Sequence, residues 1–351
     1  MIAYFVANID SYSGAAQQAL LLAKSLKMNI LFFNYNNKGY KKYAYNKLIK
    51  VIDLPENRFI QLLIIFWFTL KYRIKIYHFH VFFITGLFCG KILQRKMILK
   101  TTLLGDDDFD TLSSKKYWKI KYFLLKSIYM NIVLSEKMKR INSKYIDFLK
   151  IKIIPNGVLV PNRCPLIDEK ENIFCFVGIV CPRKRVYESI KYFIDNYSKN
   201  TSSKMYVIGP YNNIRHNGEF SDEYVNKCFE FVKSNKLENR IIFTNFMDKE
   251  NVIKILTKSK ALLFFSEREG MPNVVLEAMA NNCVPIESEK NEVVREIFEN
   301  GKHGFILDEN FKKIKIEEID ELIKIRAPYI LVNNKFNINI ISLLYKRIYE
   351  V

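Results

Sequence analysis

Two glutamates, Glu269 and Glu277, flank the junction between an apolar strand pattern and a helix pattern. The strand pattern covers Ala261–Phe265 and the helix pattern begins at Val274, so Glu269 and Gly270 fall on the loop at the carboxyl end of a strand. Ligands of open parallel α/β sheets bind at this end. The start of the helix offers backbone N–H groups and a positive dipole end, which suit a diphosphate.

The two carboxylates have two explanations. Glu269 could bind sugar hydroxyls, and Glu277, one turn into the helix, could accept hydrogen bonds from a ribose diol. Taken alone, they are better explained as a solvated loop charge and a first-turn carboxylate that the helix dipole favours.

A second group of chemically suitable residues lies in the loop Val177–Val186, where Arg183 and Lys184 follow Gly178. This loop also comes after a strand pattern and before a helix pattern, which places it at the same kind of sheet edge. A planar guanidinium that binds two oxygens and a mobile ammonium would together neutralise two phosphates. The alternative is a solvated basic loop.

The segment Ser266–Met279 resembles the E-x7-E motif of the retaining glycosyltransferases of family 4, and the loop Val177–Val186 is similar to their diphosphate-binding loop. The resemblance covers most of the chain and implies the GT-B fold of two facing Rossmann-like domains. It also implies transfer of a sugar from a nucleotide-diphosphate sugar to an acceptor hydroxyl, with retention at the anomeric carbon.

The resemblance assigns roles to individual residues. Glu269 would orient the donor sugar, while Arg183 and Lys184 would hold the diphosphate, and these three are the predicted catalytic residues. The predicted donor-binding residues, among which Glu277 holds the ribose, are Gly14, Gly178, Gly270, Met271, Asn273, Val274 and Glu277.

The chain departs from the family pattern in several places. Ile179 stands where many relatives have arginine, and Arg185 stands where they have glycine, so Lys184 is the better supported member of the basic pair. Only Gly14 remains of the glycine pair beneath the donor phosphates. Leu104 replaces a histidine of the acceptor side, and the acceptor contact must then come from another side chain.

The candidates for acceptor contact are His80 and Asp107, at the ends of two predicted strands of the first half. Alternation along a strand puts His78 and His80 on one face, and with the run Asp106–Asp108 they could instead form a divalent metal site. Nothing fixes the aspartates beside the histidines, and the family generally needs no metal, so no metal site is predicted. A capping role for the aspartates, before Thr111, is an equally good explanation.

These loops need a scaffold of parallel strands, and strand patterns alternate with helix patterns along nearly the whole chain. We predict strands at residues 2–6, 29–33, 74–78, 97–101, 131–134, 151–154, 173–177, 205–208, 241–244, 261–265, 284–287 and 304–307. Helices are predicted at 15–26, 55–70, 84–93, 115–130, 136–143, 186–197, 222–234, 250–259, 274–280 and 338–349. The alternation predicts α/β layers with parallel sheets, in keeping with the GT-B fold.

The predicted domains are an acceptor-binding Rossmann-like domain at 1–160, a nucleotide-sugar donor-binding domain at 171–335 and a C-terminal helix at 336–351 that packs across both. A chain of 351 residues exceeds the usual size of one core, about 250–300 residues, which favours two domains. The turn-rich stretch 155–171 is the predicted linker.

The net charge of +19 is unevenly distributed. Residues 1–150 carry 25 basic and 9 acidic side chains, whereas residues 151–351 carry 30 and 27. The basic half predicts an anionic partner, which could be nucleic acid, anionic lipid or a phosphorylated substrate. Since this half coincides with the predicted acceptor domain, we interpret it as a surface that attracts the inner face of the plasma membrane or a diphosphate-linked acceptor.

The longest apolar run, Phe59–Leu70, has 12 residues, and a membrane-spanning helix needs about 20. On length we expect a buried core helix, while the flanking Arg58, Lys71 and Arg73 fit a helix in a membrane interface. The six cysteines lack a C-x-x-C spacing and indicate reduced core residues of a cytosolic protein. The N-terminus lacks the features of a signal peptide, so no export is expected.

The resulting hypothesis is a retaining glycosyltransferase of the hexosyltransferase type, in the cytoplasm at the inner face of the plasma membrane. Its acceptor would be a lipid-linked oligosaccharide of a bacterial surface polysaccharide, namely O-antigen, capsule or lipopolysaccharide. The nucleotide sugar is a co-substrate, and no cofactor is expected. The alternatives are a nucleotide-sugar epimerase on the same fold and a basic nucleic-acid-binding protein, although no nucleic-acid-binding motif interrupts the α/β pattern.

Overall fold

The computed structural model describes residues 1–9, 14–35, 41–212 and 220–350. They form two compact units. The first comprises Met1–Gly157 with Ile338–Val351, and the second comprises Val158–Asn337. The predicted α/β class with parallel sheets is confirmed.

The elements of the first unit alternate as its sequence pattern predicts. In chain order they are β1 (Ile2–Ala7), α1 (Gly14–Leu26), β2 (Ile30–Tyr35), β3 (Lys41–Ala44), β4 (Ile49–Asp53), α2 (Arg58–Lys71), β5 (Ile76–Phe79), α3 (Ile84–Ile92), β6 (Lys96–Lys100), α4 (Phe109–Ser114), α5 (Trp118–Lys126), β7 (Met130–Val133), α6 (Glu136–Asn142) and β8 (Ile151–Ile153).

The elements of the second unit are β9 (Glu171–Val177), α7 (Val186–Tyr197), β10 (Lys204–Ile208), α8 (Asp222–Ser234), β11 (Ile241–Asn245), α9 (Lys249–Lys258), β12 (Ser259–Phe264), α10 (Asn273–Ala280), β13 (Val284–Ser288), α11 (Val294–Ile297), β14 (Phe305–Leu307), α12 (Ile316–Lys324) and α13 (Ala327–Lys335). The last helix, α14 (Ile338–Glu350), belongs to the first unit.

Each unit is built on one open sheet. Within the described residues the first sheet has eight strands in the order β3-β4-β2-β1-β5-β6-β7-β8, and only β3 runs antiparallel to its neighbour. The second has six parallel strands in the order β11-β10-β9-β12-β13-β14. In the second sheet the strand order reverses beside β9, which is the place where open α/β sheets bind ligands.

Alternation along β1 divides the core of the first unit between the two faces of its sheet. Tyr4 belongs to the cluster that α1 and α14 cover. The next residue, Phe5, stacks on Phe33 and Phe79 with ring centroids 5.1 and 4.5 Å apart. The sheet is therefore covered on both faces, as its nearly continuous apolar strands require.

A buried polar network fixes α14 against the sheet. The Tyr349 hydroxyl lies 2.7 Å from the Tyr4 hydroxyl and 2.7 Å from His78 Nδ1. Burial lowers the pKa of His78 well below its ordinary value, with a further contribution from Lys100, so the ring is neutral. Lys96 Nζ also donates to the Ile348 carbonyl at 2.6 Å.

Several predictions about single elements are wrong or incomplete. The helix expected at 115–130 is shorter at both ends: α5 begins after Tyr117, whose backbone is left-handed, and ends at Lys126. Helices α4, α11, α12 and α13 were not predicted. Strands β3 and β4 were not predicted. Helix α2 is not a buried core helix, because Phe59 and Trp67 are exposed by 68% and 63%.

In the described parts of the chain, no helix combines the length and the apolar character needed to cross a membrane.

Removing the Tyr349 hydroxyl should destabilise the first unit. Tyr349→Phe leaves His78 Nδ1 and the Tyr4 hydroxyl buried without this partner, so we expect a loss of about 1–3 kcal/mol. Thermal unfolding followed by circular dichroism measures the effect. Tyr117→Phe, whose ring is 71% exposed, is the matched control and should unfold like the parent. Equal stability of the two variants would contradict the network.

Candidate functional site

Sheet topology brings two loops of the second unit together. Strands β9 and β12 are parallel neighbours, with Cys175 opposite Leu262. Both strands therefore end at the same edge of the sheet. Residues 178–185 follow β9, and residues 265–272 follow β12. These are the loops that carry the predicted catalytic residues.

The carboxylate of Glu269 is the centre of a cluster of polar groups. Its Oε1 atom lies 2.5 Å from Lys184 Nζ and 3.4 Å from Arg183 Nη1, and accepts a hydrogen bond from Ser266 Oγ at 2.6 Å. The Lys184 and Glu269 side chains are each only 13% exposed. The limited contact with water strengthens this ion pair compared with one on the surface.

Hydrogen bonds to backbone carbonyl groups connect the two loops. Arg183 Nη1 donates to the Arg268 carbonyl at 2.9 Å, and the Glu267 amide donates to the Arg183 carbonyl at 3.0 Å. Lys184 Nζ also lies 5.0 Å from the ring centroid of Phe264, the last residue of β12. The lysine is therefore fixed between an aromatic face and a carboxylate.

The turn between Pro182 and Val186 aims these basic side chains. Residues Pro182–Lys184 form one 3-10 turn, and Arg185 then adopts a left-handed conformation with φ 52° before α7 begins. The Arg185 guanidinium lies 5.3 Å from the ring centroid of Phe311 and its Nε 3.5 Å from Glu188 Oε1. Arg185, which stands where the family pattern has glycine, thus contacts Phe311 and Glu188.

The N-terminus of α10 lies directly after the Glu269 loop. The helix begins at Asn273, one residue before the predicted start, and Pro272 provides no side-chain cap. Gly270 and Met271 are buried, whereas Asn273 and Val274 are half-buried. The positive end of the helix dipole is thus added to the two cations of the neighbouring loop.

Glu277 lies one turn into α10, as predicted. Its Oε1 atom is 2.5 Å from Lys249 Nζ at the start of α9. The Glu277 side chain is 14% exposed, while that of Lys249 is 55% exposed. The lysine can therefore move away, which would free the carboxylate for another hydrogen-bond donor.

A third carboxylate, Glu287, lies at the end of β13 and is fully buried. Burial raises its pKa well above the ordinary value, and the charge of Glu269 raises it further, while Asn291 and Lys184 oppose the shift. Its surroundings therefore favour the protonated form of Glu287, next to the charges of Glu269 and Lys184. Sequence analysis missed this role, although a glutamate at the end of an otherwise apolar strand was a usable signal.

Two glycines allow the loops after β9 and β10 to approach each other closely. Gly209 has φ +138°, and a Cβ atom at this position would lie 2.0 Å from the Gly178 carbonyl oxygen. The Gly178 amide donates to the Ile208 carbonyl at 2.8 Å. Gly178 was predicted as a donor-binding residue, whereas Gly209 was not predicted.

The predicted residues of the first unit are placed differently. His80 is buried, with its ring 4.7 Å from that of Tyr4 and 4.2 Å from that of His78. An acceptor could reach it only if these rings moved. Gly14 is the exposed first residue of α1, and the preceding loop residue Ser13 lies outside the described residues.

The aspartate run after β6 organises its own loop. Asp107 accepts hydrogen bonds from the Thr102 amide, the Thr102 hydroxyl and the Leu103 amide at 2.7–3.0 Å. Burial raises the pKa of Asp107 to about 6. Asp108 caps α4 through the Thr111 amide at 2.9 Å, which confirms the capping alternative for this residue.

In the described ranges, no three or more His, Cys, Asp and Glu side chains are grouped so as to hold a metal ion. His78 and the aspartate run, which were considered together as a metal site, have separate partners: His78 bonds Tyr349, and the aspartates bond their own loop.

Residues 163–335 match the family model of the group 1 glycosyl transferases. The match covers nearly all of the second unit, Val158–Asn337. The chain is also similar to the capsular polysaccharide biosynthesis glycosyltransferase CapH of Staphylococcus aureus, with 25% identity over 293 residues, 80% of this chain and 78% of that relative. The glycosyltransferase hypothesis is confirmed at this level.

Solved structures show the same fold. Sucrose-phosphate synthase of Thermosynechococcus elongatus matches with a TM-score of 0.71 and 15% identity over 99% of this chain and 98% of that one. Anabaena HepE in complex with UDP and glucose matches with a TM-score of 0.70 and 13% identity over 99% of each chain. The lipopolysaccharide outer core galactosyltransferase WaaB matches with a TM-score of 0.66 and 16% identity over 100% and 99%. The predicted GT-B fold is thereby confirmed.

Two polar contacts of the site were not predicted. Ser266 opens the E-x7-E segment three residues before Glu269, and this spacing was a usable signal. Lys249 lies 28 residues before Glu277, and only the packing of α9 beside α10 brings them together.

Filling the gap between the two glycines should disrupt the glycosyltransferase domain. Gly209→Ala places a methyl group on the Gly178 carbonyl, and we expect a loss of about 3 kcal/mol or more. Gly301→Ala is the matched control, because its φ is +74° and a Cβ there meets nothing within 4 Å. Its cost should be that of the left-handed backbone alone, about 1–2 kcal/mol. Thermal unfolding compares the two, and equal losses would contradict the steric argument.

Replacing Glu287 by glutamine should stabilise the domain at neutral pH. The folded protein keeps the Glu287 proton to a higher pH than the unfolded chain, whose glutamates titrate near 4.5. This site therefore costs stability increasingly as the pH rises above 4.5, and Glu287→Gln removes the cost. We expect a gain of up to about 1.4 kcal/mol for each pH unit above 4.5, which raises Tm at pH 7.5 and disappears towards pH 4.5.

Differential scanning fluorimetry across this pH range measures the gain. Glu299→Gln, which removes an exposed carboxylate paired with Lys302, is the control and should not gain stability with pH. A Glu287→Gln variant that follows the parent at every pH would show that the buried carboxyl is not protonated.

Proposed function

We propose that this glycosyltransferase is a retaining, family 4 enzyme that transfers a hexosyl group from a nucleotide-diphosphate sugar to a lipid-linked oligosaccharide of a bacterial surface polysaccharide. One observation carries the donor part of the proposal. Lys184 and Arg183 converge on the Glu269 carboxylate beside the N-terminus of α10.

The cluster has the charges that a departing diphosphate needs. Cleavage of the sugar–phosphate bond leaves negative charge on the diphosphate, and fixed cations beside it lower the barrier. Lys184 and Arg183 supply two cations, and the N-terminus of α10 supplies a partial positive charge. A diphosphate at this position competes with Glu269 for the Lys184 ammonium.

That competition couples donor binding to the position of Glu269. Once the phosphates neutralise Lys184, the carboxylate is free to accept hydrogen bonds from hydroxyls of the donor sugar. Ser266 Oγ, 2.6 Å from Glu269 Oε1, restrains the carboxylate during the exchange. In this proposal Glu269 orients the sugar, no protein nucleophile is required, and the expected retention rests on the resemblance to family 4.

Glu277 is proposed to hold the ribose of the nucleotide. Its Lys249 partner is more than half exposed, and ion pairs with such exposed members contribute little stability. A ribose diol can therefore replace the ammonium at small cost. Glu277 lies one helical turn from Asn273, which places the ribose and diphosphate sites on the same helix end.

The names of similar proteins support the substrate class. CapH is named for capsular polysaccharide biosynthesis and WaaB for the lipopolysaccharide outer core, and HepE was solved with UDP and glucose. We therefore propose a nucleoside-diphosphate hexose as donor and capsule, O-antigen or lipopolysaccharide synthesis as the process. The proposed location is the cytoplasm, at the inner face of the plasma membrane, where a lipid-linked acceptor is held.

Variants of the cluster test the reaction. We expect Glu269→Gln and Lys184→Met to lower kcat/KM about 100- to 1,000-fold, because each removes a charge near the reacting bond. UDP release from UDP-glucose, with a polyprenyl-diphosphate-linked sugar as acceptor, measures turnover. Lys184→Met should also lose the thermal shift that UDP produces, whereas Glu269→Gln should keep it.

Glu299→Gln and Lys302→Met are the matched controls, because they break an exposed ion pair of the same domain. Both should react like the parent. The anomeric configuration of the product, read from proton coupling constants, tests retention. Parent-like turnover of both cluster variants would contradict the assigned roles of Glu269 and Lys184. Epimerisation of the donor sugar in the absence of an acceptor would favour the alternative, a nucleotide-sugar epimerase.

A further inference from the structure

The first unit exposes a continuous apolar face on three helices. We call the following side chains the apolar face: Phe59, Ile60, Leu63, Trp67 and Leu70 of α2, Phe88 and Ile92 of α3, and Ile120 and Phe123 of α5. Each is at least 44% exposed, although these residue types are usually buried. Exposed apolar residues are ordinary when scattered, but a contiguous patch indicates a surface that something covers.

On helix α2, the spacing of the apolar residues along the sequence explains why they are exposed together. Phe59, Leu63, Trp67 and Leu70 follow at intervals of three and four residues, which places them on one side of the helix. The opposite, buried side contains Gln61 and Thr69. Gln61 Nε2 donates to the Pro55 carbonyl at 2.7 Å, and Thr69 Oγ1 bonds the Tyr77 hydroxyl. The buried side also contains Ile65 and Phe68, so polar and apolar residues share the inside while the exposed stripe is apolar.

The three helices are in contact with each other, so the face is one surface. Helix α3 packs against both α2 and α5. Cys89 Sγ of α3 lies 3.8 Å from the Leu62 carbonyl of α2. Lys91 Nζ of α3 lies 3.8 Å from the ring centroid of Phe123 on α5.

The three helices of the apolar face carry charge of one sign only. No Asp or Glu occurs between Glu56 and Asp106 or between Asp110 and Glu136, so α2, α3 and α5 have no acidic side chain. Their basic side chains are Arg58, Lys71, Lys91, Lys119, Lys121 and Lys126. Among the described residues, no salt bridge is formed by any of these six.

A cavity of about 650 Å³ opens where the three helices begin. Arg58, Lys115, Lys116 and Lys121 line it, together with one carboxylate, Glu56. Burial, and to a smaller extent repulsion by the neighbouring Lys115, lower the pKa of Lys121. An anion in the cavity would relieve that repulsion.

We propose that the apolar face docks the enzyme on an anionic membrane, with its side chains among the acyl chains and its basic residues, including those of the cavity, on lipid phosphates. Apolar insertion combined with attraction to anionic headgroups is how interfacial helices bind. The proposal identifies the surface behind the membrane location suggested above, and it does not depend on sugar transfer.

Charge also argues against a second copy of the chain as the occupant. A two-fold contact places the same patch on both sides of the interface. Six unpaired cations of one copy would then face six of the other, with no acidic residue on these helices to compensate them. An anionic bilayer matches both the apolar stripe and the charge.

Co-sedimentation of the full chain with vesicles tests the proposal, without any nucleotide sugar. We expect binding to phosphatidylcholine vesicles that contain phosphatidylglycerol, and weaker binding to phosphatidylcholine alone or in high salt. Phe59→Ser/Leu63→Ser/Trp67→Ser should weaken binding at least about tenfold, since three large apolar groups are lost. The matched control is Ile325→Ser/Ile330→Ser/Leu343→Ser, three exposed apolar residues outside the face, and it should bind like the parent.

Charge variants separate the phosphate contacts from insertion. Lys116→Gln/Lys119→Gln/Lys121→Gln should lose most of the preference for phosphatidylglycerol. Lys199→Gln/Lys233→Gln/Lys236→Gln, which removes the same charge from the other unit, should keep it. Equal losses in the two variants would overturn the assignment of the basic side chains.

Fluorescence gives a readout that does not depend on stability. The chain has two tryptophans, so Trp118→Phe leaves Trp67 as the reporter. Its emission should shift to the blue on vesicles and be quenched by lipids brominated in the acyl chain. The absence of a blue shift would overturn the proposal. So would a parent protein that does not bind vesicles but self-associates through a contact that the apolar variant abolishes. Either result would leave transfer to a soluble acceptor unaffected, so it is distinct from failure of the proposed reaction.

Discussion

The ion pair between Lys184 and Glu269 joins two residues that are 85 positions apart in the chain. It exists because β9 and β12 are parallel neighbours, which send both loops out at one edge of the sheet. The other contacts of the Glu269 cluster depend on this pairing. The Arg183 contacts, the Ser266 hydrogen bond and the start of α10 all lie within the same two loops. A shift of β12 by one residue would turn its own side chains to the other face of the sheet and move the Glu269 loop along residues 178–185.

The net charge of this cluster depends on whether the buried carboxyl of Glu287 is ionised. Two cations face Glu269, and the fully buried Glu287 lies close enough to feel both Glu269 and Lys184. If Glu287 were ionised, it would neutralise the cations that the proposed diphosphate needs. Burial keeps it protonated, so the cluster retains its net positive character. The protein thus stabilises a positive site by placing a neutral acid beneath it, at a cost that depends on pH.

Sequence patterns predicted the strand and helix alternation well, because buried parallel strands are short, apolar and regularly spaced. They failed where tertiary contacts decide. The break at Tyr117 has no glycine or proline to signal it, and β3 is a polar edge strand. In the site, Arg183, Lys184 and Glu269 could be grouped through a motif. Lys249 could not, because its approach to Glu277 results from helix packing.

The apolar run of α2 is another case in which the sequence pattern does not decide the structure. Its length and composition fit a core helix, and only the contacts of Gln61 and Thr69 show which side is inside. Counting residues likewise shows a large positive charge in the first half of the chain. A count does not show where the charges lie, and lysines scattered further apart than a Debye length would hardly reinforce each other's attraction for an anion. What matters is that α2, α3 and α5 lack any carboxylate and lie side by side. On these helices the excess charge is not neutralised locally, and the exposed apolar side chains lie within it. The two properties together distinguish a membrane surface from a chain that is merely rich in lysine, because neither alone would select an anionic bilayer.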